Sequence, residues 1–359
     1  MKTNQNNTRV GKEERAINLF ADMMIEKIEN LKTDWQKPWF TDGANAWPCN
    51  ISGREYNGMN TLMLLMHCEK MGYSMPVFIT YNRTISMNFT ETSEGRVPAV
   101  DADGNKLPWV HVKKGEKSFP VFVTSYGARD DNGKKISIED YRNLTPAEQA
   151  NYKVYAYNIV HDVFNIAQTN IEEARPGLYA KLQKQFLPSA EPVNSDNFEF
   201  VAFDQMAADG KWICPIKMKR QDRAYFSPAK NEIILPKKSQ FIDSQSFYST
   251  AFHECIHSTG IDAHLKRLKP DATFGSPEYA REELVAELGA ALTAHRYGFA
   301  SHIKEESAAY IKSWLQSLKE EPSFIKTTLL DVKRATSMLT QCLDALGAEA
   351  SETDITEAA

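Results

Sequence analysis

Apolar side chains recur at helical spacing at both ends of this chain and at strand-like spacing between them. From Glu13 to Leu31 the series Ala16, Ile17, Phe20, Met23, Met24, Ile28 and Leu31 keeps to one face of a 3.6-residue period, which predicts an amphipathic helix. A tryptophan-rich loop follows, with Trp35, Trp39 and Trp47 among Pro38, Gly43 and Pro48, and the helical pattern resumes from Met59 to Met71. Val77–Tyr81 and Phe119–Val123 are rich in β-branched and aromatic residues, with turn signals at Asp103-Gly104 and Asn132-Gly133 nearby. Tyr152–Phe164 is a further strand-like run, so the first half reads as α+β.

Residues 186–198, with Pro188, Ser189, Pro192 and Asn194, have the composition of a linker. They divide a first domain, 1–185, from a second, 199–347. In the second, Tyr225–Pro236 reads as two short strands about a turn, and helical patterning returns over 308–318 and 323–346. Residues 348–359 are acidic and are expected to be a disordered tail. The expected fold class is α+β, with a mostly helical second domain that carries a small sheet.

The most specific pattern is His253-Glu254-Cys255-Ile256-His257. Two His at i and i+4 project from one helix face, so both imidazoles can reach one tetrahedral Zn²⁺ while Glu254 faces the water to be activated. Phe247–Phe252 gives a helix-compatible lead-in and Gly260 a stop. A third ligand is expected in Glu282-Glu283-Leu284-Val285-Ala286-Glu287, on a helix announced by Ser276 as N-cap and Pro277 at its first position. Glu283 and Glu287 share a face, whereas Glu282 points about 100° away. We assign Glu283 as ligand and Glu287 as the carboxylate that orients a ligating His from behind. Cys255 lies on a different helical face from the two His and reads as packing. Tyr279, His264 and Arg267 are all candidates for stabilising an oxyanion.

Composition narrows the setting. The formal charge is −5, and residues 1–170 hold 20 basic and 20 acidic side chains, so charge alone predicts no nucleic-acid binding. No apolar run approaches the length of a membrane span, and Met1–Arg15 has no apolar core of a signal peptide, so no membrane association and a cytoplasmic location are expected. Five scattered cysteines without a C-x-x-C pair are expected to be reduced thiols.

An extended set of residues resembles the ArdC-type antirestriction proteins of mobile elements, which include a zincin-like metallopeptidase of polyvalent proteins. In the second half it comprises Tyr248, His253 to Gly260, Leu265, Arg267, Leu268 and Tyr279 to Gly289. In the first half it comprises Trp35-Gln36-Lys37-Pro38-Trp39, Pro48, Asn50, Gly53, Tyr56, Gly58, Asn60, Val112 to Lys117 and Val163 to Thr169. The segments 83–109 and 129–149 depart from that pattern. The resemblance implies an N-terminal domain that binds single-stranded DNA, joined to a Zn²⁺ peptidase with His253, His257 and Glu283 on the metal and Glu254 as general base. It also implies an unidentified protein or peptide substrate, with host restriction systems as a candidate source.

The DNA residues we single out are Trp35, Trp39, Arg54, Tyr56, Lys113, Lys114 and Lys117, because rings stack on bases while cations neutralise phosphates. Packing in a small core is the competing account of the tryptophans. A second reading of the whole is a DNA-shielding protein whose zinc site is structural or inactive.

Overall fold

A computed structural model describes residues 11–33, 47–93, 95–186, 198–269, 272–273, 276–299 and 310–357. Backbone contacts divide the chain into two compact units, Met1–Ala16 with Phe78–Pro176 and Ile17–Val77 with Gly177–Ala359.

The first unit is built on an antiparallel sheet. Its strands are β1 (Val77–Thr80), β2 (Phe119–Asp130), β3 (Lys135–Ser137) and β4 (Tyr152–Asn165), in the spatial order β1-β4-β2-β3. Strands β2 and β4 pair along their whole length, from Phe119↔Val163 to Asp130↔Tyr152. The core gathers at one end of this ribbon, where Phe78, Ile79, Val110, Phe119, Val121, Val163 and Ile166 are buried. The Asn88 carboxamide fastens the loop above it, accepting from the Val110 N–H at 2.7 Å and donating to the Val110 carbonyl at 3.0 Å. Arg175 donates to the carbonyls of Met87 and Pro108, which satisfies backbone groups that no strand pairs. Segment 129–149, which departs from the family pattern, supplies the β2–β3 turn, β3 and two short helices, Ile138–Arg142 and Pro146–Gln149.

The second unit is mostly helical. It contains α1 (Lys12–Thr33, most of its length), α2 (Met59–Met71), α3 (Val201–Ala208), α4 (Ser244–Ser258), α5 (Pro277–Arg296), α6 (Ile311–Glu320) and α7 (Phe324–Glu357). Three short strands, β5 (Ile216–Lys219), β6 (Tyr225–Ser227) and β7 (Glu232–Pro236), form a sheet in the order β5-β7-β6, with β5 parallel and β6 antiparallel to β7. Helix α5 starts as its sequence predicts, with Ser276 as cap ahead of Pro277, and Asp243 caps α4. They approach so closely that a Cβ on Gly289 would stand 3.0 Å from Ile256 side-chain atoms.

Three expectations change. Helix α1 from Ile17 onward and helix α2, which fall in the expected first domain, belong to the second unit: Phe20, Met24 and Ile28 are buried, Lys27 pairs with Glu69, and Lys319 on α6 pairs with Glu29. Long-range helix packing of this kind leaves no mark in local composition. The expected linker lies outside the described residues except at its ends. The tail expected to be disordered from Ala348 continues α7 to Glu357, because extending a packed helix through Ala- and Glu-containing sequence needs no new nucleus. Gly260 is not a left-handed helix stop either; its hydrogen is needed because a Cβ there would meet Leu268 at 3.0 Å and the His257 carbonyl at 3.1 Å. Among the described residues, no helix is long and apolar enough to cross a membrane.

The α4–α5 approach is testable. Gly289→Val should cost about 1–3 kcal/mol by overpacking against Ile256. Gly289→Ala should cost less, since its better helix propensity offsets about 1 kcal/mol. Urea denaturation of the two variants would refute the close-approach argument if both matched the wild type.

Candidate metal centre

Helix α4 is buried along most of its length because aromatic rings surround it. Phe247, Tyr248 and Phe252 pack against Phe198, Phe200 and Phe203, and the Tyr248 hydroxyl donates to Asp204 while accepting from the Phe200 N–H and Lys238. This packing fixes the rotation of the helix and turns His253 and His257 toward α5.

There they meet Glu283. The Nε2 atoms of His253 and His257 lie 3.0 Å apart, and the Glu283 carboxylate oxygens lie 3.5 Å from the first and 3.6 Å from the second. These three side chains form the group of donors able to hold one metal ion among the described residues. Two imidazole nitrogens and one carboxylate oxygen, this close and this buried, suit a divalent cation with a further position open for water or substrate. Their charges point the same way. Burial opposes a charge on His257, but Glu283 and Glu282 outweigh it and push its pKa up to about 9. Burial likewise opposes ionisation of Glu283, yet His257, His253 and the Tyr279 hydroxyl hold that carboxyl well below its usual range.

Each His has a carboxylate behind it. Glu287, almost fully buried, lies 3.5 Å from His253 Nδ1, the position we assigned to an orienting carboxylate. The other partner is Glu282, which the helical-face argument set aside. Its Oε1 lies 3.2 Å from His257 Nδ1, and Arg267 clamps both its oxygens, through Nε at 3.0 Å and Nη2 at 2.9 Å. Arg267 also donates to the Thr259 hydroxyl and the Ile256 carbonyl at the end of α4. The roughly 100° between Glu282 and Glu283 is what lets neighbouring residues of α5 reach opposite sides of one imidazole. Two ligating His each needing a fixed ring was the available signal for a second carboxylate.

Glu254 is held from the sheet side. The Phe226 N–H of edge strand β6 donates to its Oε2 at 2.9 Å. Of the three oxyanion candidates, Arg267 is committed to Glu282, and His264 is exposed on the loop after α4. Tyr279 hydrogen-bonds Glu283, and burial with that carboxylate pushes its phenol up. Cys255 is fully buried, its thiol pushed well up by burial, and all five cysteines are free.

The expected DNA residues fall in different parts of the chain. Trp35 and Trp39 lie outside the described residues. Arg54 is exposed and Tyr56 half-buried in the second unit, where the Tyr56 carbonyl accepts from Trp47. Lys113, Lys114 and Lys117 are exposed in the first unit, Lys113 donating to the Ala167 carbonyl at 3.0 Å.

Known proteins share both halves. Residues 14–158 match the N-terminal domain of the anti-restriction factor ArdC, and residues 207–328 match the zincin-like metallopeptidase family. Two DNA primases named TraC from Escherichia coli are 28% and 27% identical over 88% of this chain, which spans 19% and 26% of their lengths. An uncharacterized protein, y4eC of Sinorhizobium fredii, is 26% identical over 86% of this chain and 85% of its own length. The metal-free structure of ArdC from plasmid R388 superposes with a TM-score of 0.63 at 24% identity, covering 92% of this chain and 98% of that one. Its Mn(II)-bound form gives 0.61 at 22% identity, over 91% and 97%. At these identities the structural likeness is one of fold. With both domain families matched in order on that fold, the chain belongs to an ArdC-like family, an ArdC N-terminal domain followed by a zincin-like metallopeptidase domain.

Proposed function

We propose that this chain is a cytoplasmic antirestriction protein of a mobile genetic element, binding single-stranded DNA and hydrolysing a peptide bond with a Zn²⁺-dependent site. The observation that carries the peptidase reading is the convergence of His253, His257 and Glu283 beside a separately anchored Glu254. The DNA reading rests on the match to the ArdC N-terminal domain. A relative of the same fold is solved with Mn(II), so the choice of zinc rests on the donor set: two imidazoles, one carboxylate and an open position.

When bound, the metal supplies a Lewis acid and brings the pKa of a water toward neutrality. The protein's own groups do the rest. Glu254, held through Oε2 by the Phe226 N–H, accepts a proton from the attacking water and returns it to the leaving amine. Glu282 and Glu287 hold the two imidazoles in register. The peptide substrate, from host restriction systems or elsewhere, is not identified by these groups.

Two substitutions separate the roles. Glu254→Gln should keep about one metal ion per chain and lower peptide hydrolysis by at least about 10²-fold. If it also abolishes antirestriction in a conjugation assay, cleavage is the biological function. Antirestriction at the wild-type level would instead favour DNA shielding with a structural or inactive zinc site. Glu282→Gln should leave the fold intact and weaken metal binding about 10- to 100-fold in chelator competition. Unchanged affinity would remove Glu282 from the site.

A further inference from the structure

The β2–β4 ribbon extends beyond the core, and the strand alternation sorts its side chains. Directly opposed residues share a face. On one face a row of three cations crosses three strands, Lys135, Arg129 and Lys153. The next row is Ser137, Gly127 and Tyr155, then Ser125 with Tyr157, then Val123 with Ile159. The acidic residues Asp130 and Asp162 fall on the opposite face.

Two features of the first face need explanation. Like charges directly opposed across strands are unfavourable. Arg129 and Lys135 have no ion pair among the described residues, and Lys153 has only Asp131, in a pair where both side chains are more than four-fifths exposed. Beside this row lies a concavity of about 380 Å³ lined by Arg129, Lys153 and Tyr155 and by the 130–133 turn, Asp130 and Asp131 included. The second feature is the aromatic surface. Tyr155 lies across Gly127, where a Cβ would stand 3.1 Å from its Cζ and hydroxyl, so the glycine lets the ring rest against the sheet. Tyr157 follows, its ring centroid 5.8 Å from that of Tyr155 and its side chain 43% exposed, with Val123 and Ile159 exposed beyond it.

Rings laid on a sheet beside a row of exposed cations, of which only Lys153 has an ion pair among the described residues, match the chemistry of an unpaired polynucleotide, whose bases offer π-faces and whose backbone is a polyanion. We propose that this face receives single-stranded DNA, bases stacking on Tyr155 and Tyr157 while Arg129, Lys135 and Lys153 hold phosphates. The proposal rests on the DNA-binding part of the function above and assigns it a surface distinct from the residues singled out by sequence.

The test uses the full chain and fluorescence anisotropy with a labelled oligo-dT of about 20 nucleotides and a duplex of equal length. The wild type should prefer the single strand. Tyr157→Ser should weaken it at least about fivefold and Tyr157→Phe should restore binding, because the ring is what stacks. The triple variant Arg129→Gln, Lys135→Gln, Lys153→Gln should reduce the salt-dependence slope by about 2, near 0.7 per cation lost. Circular dichroism and melting curves check that each variant is folded. A wild type that binds no oligo-dT would overturn the DNA reading and this surface together. A wild type that binds while folded variants bind equally well would overturn the surface alone. Equal affinity for duplex would refute base stacking. Variants that change self-association but not DNA binding would make the face a contact between copies of this chain, and would also overturn the proposal.

Discussion

Everything at the candidate centre depends on burying three carboxylates and two imidazoles at the crossing of α4 and α5. Glu282, Glu283 and Glu287 are each no more than 9% exposed. Three buried negative charges are tolerated only where positive charge reaches them, since an unpaired ion in the interior loses most of its hydration. Arg267 compensates one, through two charge-assisted hydrogen bonds. His253 and His257 face Glu283, and a cation held among the three would compensate it as Arg267 compensates Glu282. The helix approach at Gly289 and Ile256 sets the distances.

The inner ring of this site was legible because a helix converts spacing into direction. His253 and His257 share a face by their separation of four, and Glu283 and Glu287 by theirs. The supporting ring was half legible for the same reason. A face argument applied to one helix discards Glu282, because it asks which residues point together. The centre is a space between two helices, and a residue to one side of Glu283 can reach the far side of His257. Arg267 and the Phe226 N–H were beyond reach in a stronger sense, since a loop closure and a sheet edge bring them to the site from 15 and 28 residues away.

The fold divides along the same line. Local elements followed their patterns: α2 spans Met59–Met71, β6 and β7 flank a turn, and the caps of α5 are those its sequence announces. What local pattern could not convey was grouping. Helix α1 has an apolar stripe that must be covered, but the stripe does not say by what, and its partners include α2 and α6, the latter nearly 300 residues away. A boundary inferred from proline and serine content marks a place where the chain changes character. It does not mark which segments share a core.

The ribbon shows how composition can conceal a charged surface. Between Phe119 and Asn165 acids and bases nearly balance, so a count of charges predicts indifference to polyanions. A strand separates what a count merges, because odd and even positions face opposite ways. Arg129, Lys135 and Lys153 are all odd-numbered, and the register brings them into one row, while Asp130 and Asp162 are even. The segment is neutral and one face of it is not. The same parity places Tyr155 and Tyr157 beside the cations, and Gly127 opposite Tyr155 is the position where a side chain would lift that ring off the sheet. Charge, aromaticity and the missing Cβ are three separate properties of the sequence, and the strand register is what makes them one surface.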